Sequence, residues 1–255
     1  MTTSGAWHAL GWGSLSGGAL LVGAAIGYWS SLSARVVAGV MSFGSGVLIA
    51  ALSVELMDEA FARGGLVASS AGFLGGAVVF TLANLALAHF GGRHRKRSGD
   101  QQASSHRRSA NAGAAIAIGA LVDGVPESVA IGVSLLAGAG VSIVTVAAVF
   151  LSNLPEGLSS AAGMRRAGKS PAYVFGVWGG IALASGLASL AGYLVFGGFP
   201  PEVIAIAYAT AAGAILAMLA DTMIPEAFEH AHDYAGLITV AGFLVAYALG
   251  KGAAA

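Results

Sequence analysis

Two short stretches place polar and charged side chains inside otherwise apolar runs: DGVPES at 123–128 and SNLPEG at 152–157. Residues four apart share one face of a helix, so Asp123 and Glu127 point together, as do Ser152 and Glu156, with Asn153 one step round. Each Pro removes a backbone donor. Pro126 is expected to free the carbonyl of Val122 and Pro155 that of Leu151, kinking the helix and turning more oxygen inward. A charge in such a run costs roughly 3 kcal/mol on insertion scales, so the repetition needs a reason. No Lys or Arg lies within either segment. A divalent cation held by oxygen ligands neutralises Asp123, Glu127 and Glu156 more economically than an ion pair would. The plain alternatives are a simple Pro kink, a Glu bonded to a neighbouring helix, or a Ser bonded to its own backbone.

Further acids close two other apolar runs. LSVELMDEAF (52–61) brings Glu55, Asp58 and Glu59; LADTMIPEAF (219–228), continued by EHAHD, brings Asp221, Glu226, Glu229, His230, His232 and Asp233. An acidic entrance and an acidic, imidazole-bearing exit suit a cation path, although solvated helix ends account for the same residues. Both segments contain Glu-Ala-Phe, and their helices are expected to run in opposite senses. That is the signature of an inverted repeat with a site at its interface.

The elements that must position these groups are set by composition. The 255-residue chain is 56% hydrophobic and 9% charged, with 39 glycines and a mean hydropathy of +0.80. This excludes a soluble profile and predicts an all-α membrane protein in contact with the lipid bilayer. Eight runs reach the length of a span, at roughly 7–29, 34–59, 66–90, 112–136, 141–164, 171–197, 202–227 and 234–250. They are read as one transmembrane transporter domain covering 1–255. The first run lacks a positive region ahead of it and is read as a span rather than a signal peptide. The sizeable break, 91–111, is expected to be a flexible basic cytoplasmic loop; His89, His94 and His106 beside it read as surface groups. Ten Lys and Arg fall on that side of the membrane and only Arg63 and Lys251 on the other, which predicts both termini outside the cytoplasm. A formal net charge of zero gives nucleic acid no hold, and the absence of cysteine excludes disulfides and thiolate metal sites.

With the paired Pro-Glu motifs, eight expected spans, the long loop after the third and IPEAFEHAH on the seventh, the whole chain resembles the Zrt/Irt-like (ZIP) divalent metal transporters. The resemblance implies eight transmembrane helices, an inverted repeat of helices 1–3 and 6–8 around helices 4 and 5, a homodimer, no resident cofactor and no enzymatic activity. It also implies uptake of zinc or another transition metal, such as Mn or Fe, across a cell (inner or plasma) membrane. In that family helix 4 typically reads His-Asn-x-Pro-Glu-Gly and helix 5 His-Glu-x-Pro-Glu-Gly. Pro126 and Glu127 match, as do Pro155, Glu156 and Gly157. Asp123 stands for the first His, Gly124 for the Asn, Ser128 for the closing Gly, Ser152 for the second His and Asn153 for the acid. The result is a mainly oxygen site: Asp123, Glu127 and Glu156 with Asn153 and Ser152. Carboxylate suits harder ions than imidazole does. Rival expectations are an intramembrane aspartyl hydrolase, against which the chain lacks Gly-x-Gly-Asp, and a proton-coupled carrier of another small solute. Gly72 with Gly76, and Gly176 with Gly180, allow close helix contacts in a dimer or within one chain.

Overall fold

Backbone groups that meet no water must satisfy one another, so apolar runs of this length fold as helices. A computed structural model of the chain describes residues 2–87, 112–137 and 141–253, and these are helical with no strand among them. The expected loop 91–111 lies outside the described residues, as do His89, His94 and His106. In chain order the helices are α1 (Thr3–Trp29), α2 (Ala34–Ala51), α3 (Met57–Leu87), α4 (Ala112–Ser134), α5 (Ile143–Arg166), α6 (Pro171–Phe196), α7 (Pro201–Met218), α8 (Ile224–Ala231) and α9 (Ala235–Ala253). One π-helical turn, Leu52–Leu56, joins α2 to α3, and another, Leu219–Met223, joins α7 to α8. Several starts carry side-chain caps: Thr2, Ser33, Ser142 and Ser170 accept from the backbone N–H three residues on. Both α4 and α5 run unbroken through their prolines.

Five helical stretches among the described residues are long and apolar enough to cross a membrane. Two are double length, Ala34–Leu87 with 54 residues and Pro201–Lys251 with 51. A straight helix of that size would reach about 80 Å, far beyond a bilayer. Each is broken once by a residue of positive φ, Gly65 at 65° and His232 at 44°. Gly65 ends the Arg-Gly-Gly stretch at 63–65, where a turn residue that tolerates positive φ is available. His232 is different: with ψ at −122° it holds a conformation that suits glycine, not a side chain bearing Cβ. Replacing it, as His232→Gly, is expected to stabilise the fold by about 1 kcal/mol, read as a rise in melting temperature of the purified protein. An unchanged or lower melting temperature would show that the imidazole contributes more than its backbone costs.

The breaks recur at a fixed distance. The two π-helical turns, the two Glu-Ala-Phe triplets (59–61 and 226–228), the pair Gly65 and His232, and the pair Gly46 and Gly213 all lie 167 positions apart, as 219 less 52 or 232 less 65.

Packing is backbone-close. α1 lies against α5 and α6, and α4 against α6; α3 lies against α7, and α2 against α9. Gly157 of α5 faces the carbonyl of Leu20 on α1, and Gly23 of α1 faces that of Leu154; a Cβ at either would run into the oxygen. Gly46 and Gly242 do the same between α2 and α9, against Thr239 and Phe43. Gly72 and Gly76 face α7 of the same chain, so that pair serves intramolecular packing, whereas Gly176 and Gly180 have nothing over them within 4 Å. Apolar side chains such as Leu74, Val79, Leu183, Leu187, Leu237 and Leu244 point outward, where lipid would cover them.

Candidate functional site

The two Pro-Glu motifs meet where α4 and α5 cross. The Ser152 hydroxyl stands 3.2 Å from Glu127 Oε1 and 2.9 Å from the carbonyl of Val149, and its single proton serves one of these acceptors at a time. Asp123 and Glu127 are each only 2% exposed, and Ser152 is buried beside them. The i,i+4 spacing therefore places both acids of α4 inside the protein. Asn153, expected among the ligands, turns its amide elsewhere: Nδ2 donates to the carbonyl of Ser16 at 3.1 Å and ties α5 to α1. Ser16 in turn donates to the carbonyl of Val146.

Next to this layer lies a cleft of about 440 Å3, counted out to open solvent. Ser152, Glu156, Ser159 and Ser160 of α5 line it together with Trp178 of α6, Met41 of α2 and Glu226 of α8. Glu226 is buried. The sequence places it at a distant exit, but the fold brings it to the same cleft as Glu156. Three polar members escape the sequence reading. Ser159 and Ser160 follow Glu156 by three and four residues and so share its face, a signal that was available. Trp178 carries no such signal. Its indole N–H is buried with no acceptor.

Among the described residues no three His, Asp or Glu side chains stand close enough to hold one ion by themselves. The remaining inner residues do not join the cleft. Asp221, Glu229, His232 and Asp233 are exposed, His230 is half-buried, and the His232 ring sits edge-on to Phe228.

At the opposite end the expected acidic entrance is largely paired within the chain. Glu55 accepts a short hydrogen bond from Ser142, the residue that caps α5. Arg63 pairs with Glu59 at 2.5 Å and reaches the carbonyl of Leu136, just after α4. Tyr208 donates to the carbonyl of Val133. Only Asp58 of the three acids is exposed. The entrance reading left out Arg63, although it lies four residues after Glu59, the spacing of a helical ion pair. These bonds fasten both sides of the connection between α4 and α5 to the neighbouring helices. Arg63→Met is expected to loosen that end, raising several-fold the rate at which a membrane-impermeant thiol reagent modifies a cysteine introduced at Leu136, a readout helped by the absence of native cysteine. An unchanged rate would show that Arg63 closes nothing.

No protein-family model matches the chain, and no curated protein matches it significantly.

Proposed function

We propose that this protein carries divalent metal cations across a cell membrane, as a divergent member of the ZIP family, with cytoplasmic uptake through a site between α4 and α5. The observation that carries the reading is the contact of the two motifs: buried Glu127 meets Ser152 at a helix crossing that borders a cleft holding Glu156 and Glu226. Carboxylates set inside apolar segments that contain no Lys or Arg of their own suit a carried cation.

Other features support it. The two double-length stretches, each divided by its positive-φ residue, bring the count of spans to eight when α4 is included. The 167-residue correspondence, and packing in which α2 with α9 mirrors α7 with α3 while α1 with α5 mirrors α6 with α4, suit an inverted repeat of helices 1–3 and 6–8 around α4 and α5. The cleft lies within about two helical turns of Arg35, Arg165, Arg166 and Lys169, the basic ends that belong in the cytoplasm. The far end is tied by Glu55, Arg63 and Tyr208. Together these suit an inward-facing carrier with both termini outside. Homodimerisation belongs to the same reading, and the uncovered glycines of α6 offer a face for it.

The test is metal entry into vesicles reconstituted with the purified protein, followed with internal dyes for Zn, Mn and Fe. Entry above that of empty vesicles for at least one divalent ion is expected; no entry for any of them would defeat the proposal.

A further inference from the structure

We infer that the adjoining ends of α1, α5 and α6 hold the phosphate of an anionic phospholipid between Arg165 and Lys169, with the Trp29 indole at the level of its headgroup. Binding there calls on no metal and stands or falls apart from the carrier reading.

Two cations are set in place without a carboxylate. Arg165 gives one N–H to the carbonyl of Tyr28 at 2.5 Å, which leaves the rest of its guanidinium fork for another acceptor. Lys169 Nζ stands 5.0 Å from the centre of the Tyr173 ring. Neither side chain forms an ion pair with an acid among the described residues. The backbone that carries them is tied down. Gly168 takes a φ of 75°, the Lys169 N–H donates to the carbonyl of Met164 at 3.0 Å, and the Tyr28 hydroxyl donates to the carbonyl of Lys169 at 3.1 Å. The turn between α5 and α6 is thus fastened to the end of α1, so an arriving anion finds both cations already ordered. A phosphate suits them, since its oxygens take two parallel N–H bonds from one guanidinium and accept from the ammonium beside it.

The aromatic neighbours say what brings the phosphate. Trp29 is 67% exposed and stacks on Phe175 with ring centres 5.1 Å apart, and Tyr28 meets both rings. Trp and Tyr concentrate at the headgroup level of a bilayer. From Trp29, exposed Ile26 and Val22 continue along the same face of α1 for roughly 10 Å toward the bilayer centre. A free phosphate makes no use of that apolar face. A phospholipid lays its chains along it while its phosphate meets Arg165 and Lys169. In a zwitterionic lipid the headgroup carries a positive charge as well, which the same pair of cations repels.

The experiment uses the full-length protein in phosphatidylcholine bilayers that contain a minor share of a test lipid brominated on its chains. Quenching of Trp29 is taken as the difference between the wild-type protein and Trp29→Phe. Brominated phosphatidylglycerol is expected to half-quench Trp29 at about a tenth of the mole fraction that brominated phosphatidylcholine needs, and this advantage should fall about fivefold for each cation removed. Arg165→Gln and Lys169→Gln are the variants; Lys169 is exposed and its side chain holds no other element, so its variant decides the matter even if Arg165→Gln loosens α1. Equal quenching by the two lipids, or an advantage unchanged in Lys169→Gln, would overturn the inference. Loss of the advantage on adding inorganic phosphate at constant ionic strength would assign the site to a soluble anion instead. Quenching by neither lipid would show that a second copy of the chain covers Trp29, and would overturn it as well. Each of these outcomes leaves the carrier reading where it stands.

Discussion

Glu127→Gln is expected to abolish metal entry into vesicles while leaving the protein folded and inserted. Glu127 is 2% exposed and meets Ser152 across the crossing of α4 and α5. Glutamine keeps the length and one carbonyl acceptor for the hydroxyl, so the crossing retains its hydrogen bond, but the negative charge is gone. Removing a partner that only touches a metal ligand commonly costs 10–100-fold. Loss of a direct carboxylate should therefore lower the initial rate on the order of 100-fold or more. Glu127→Ala should do the same, with a further loss of stability from the space it leaves. Initial rates at matched protein density decide the matter, and full uptake by Glu127→Gln would remove α4 from the ion's path.

Ser152→His should change which ion moves. Ser152 occupies the place of a histidine in the family that the chain resembles, and it borders both Glu127 and the cleft. Imidazole suits zinc and its neighbours, and intrinsic affinities rise from Mn2+ toward Cu2+ along the first row. Adding one imidazole beside Glu127 and Glu156 is expected to raise the ratio of Zn2+ to Mn2+ entry by about tenfold or more. The measurement is entry of each ion from an equimolar mixture, for the variant and the wild-type protein side by side. An unchanged ratio would mean that position 152 does not contact the ion.

Much of this molecule is written in its chain because the bilayer asks simple things of it. Span length and the need to close backbone hydrogen bonds make apolar runs readable as helices, and the structure begins α1, α2, α6, α7 and α9 within a few residues of where those runs begin. The division at Gly65 is readable too, since glycine tolerates positive φ. The matching division at His232 is not, because nothing in a histidine announces that backbone conformation. Nor do LSVEL and LADTM announce π-helical turns, rare insertions that no residue pattern in either segment marks. The buried faces of Asp123, Glu127 and Ser152 follow from helical spacing alone. Membership of the cleft does not: Met41, Trp178 and Glu226 come from three other elements, and only tertiary packing assembles them. Arg63 shows a different omission, a counter-charge one turn from Glu59 that spacing alone could have supplied.

The glycine-to-carbonyl crossings carry a mechanical consequence. Where two backbones touch with no side chain between them, there is nothing soft to give way, so the joined helices travel together. By that criterion α1, α5, α6 and α4 form one plate, with Gly132 and Gly192 joining α4 to α6, while α2 with α9 and α3 with α7 are two further pairs and Gly44 sets α2 less tightly against the Leu151 carbonyl of α5. The cleft lies along the seam between that plate, which contributes the serines, Glu156 and Trp178, and α2 and α8, which contribute Met41 and Glu226. A shift of α2 and α8 along that seam would part Glu156 from Glu226 and leave the Glu127–Ser152 crossing, which lies within the plate, unchanged.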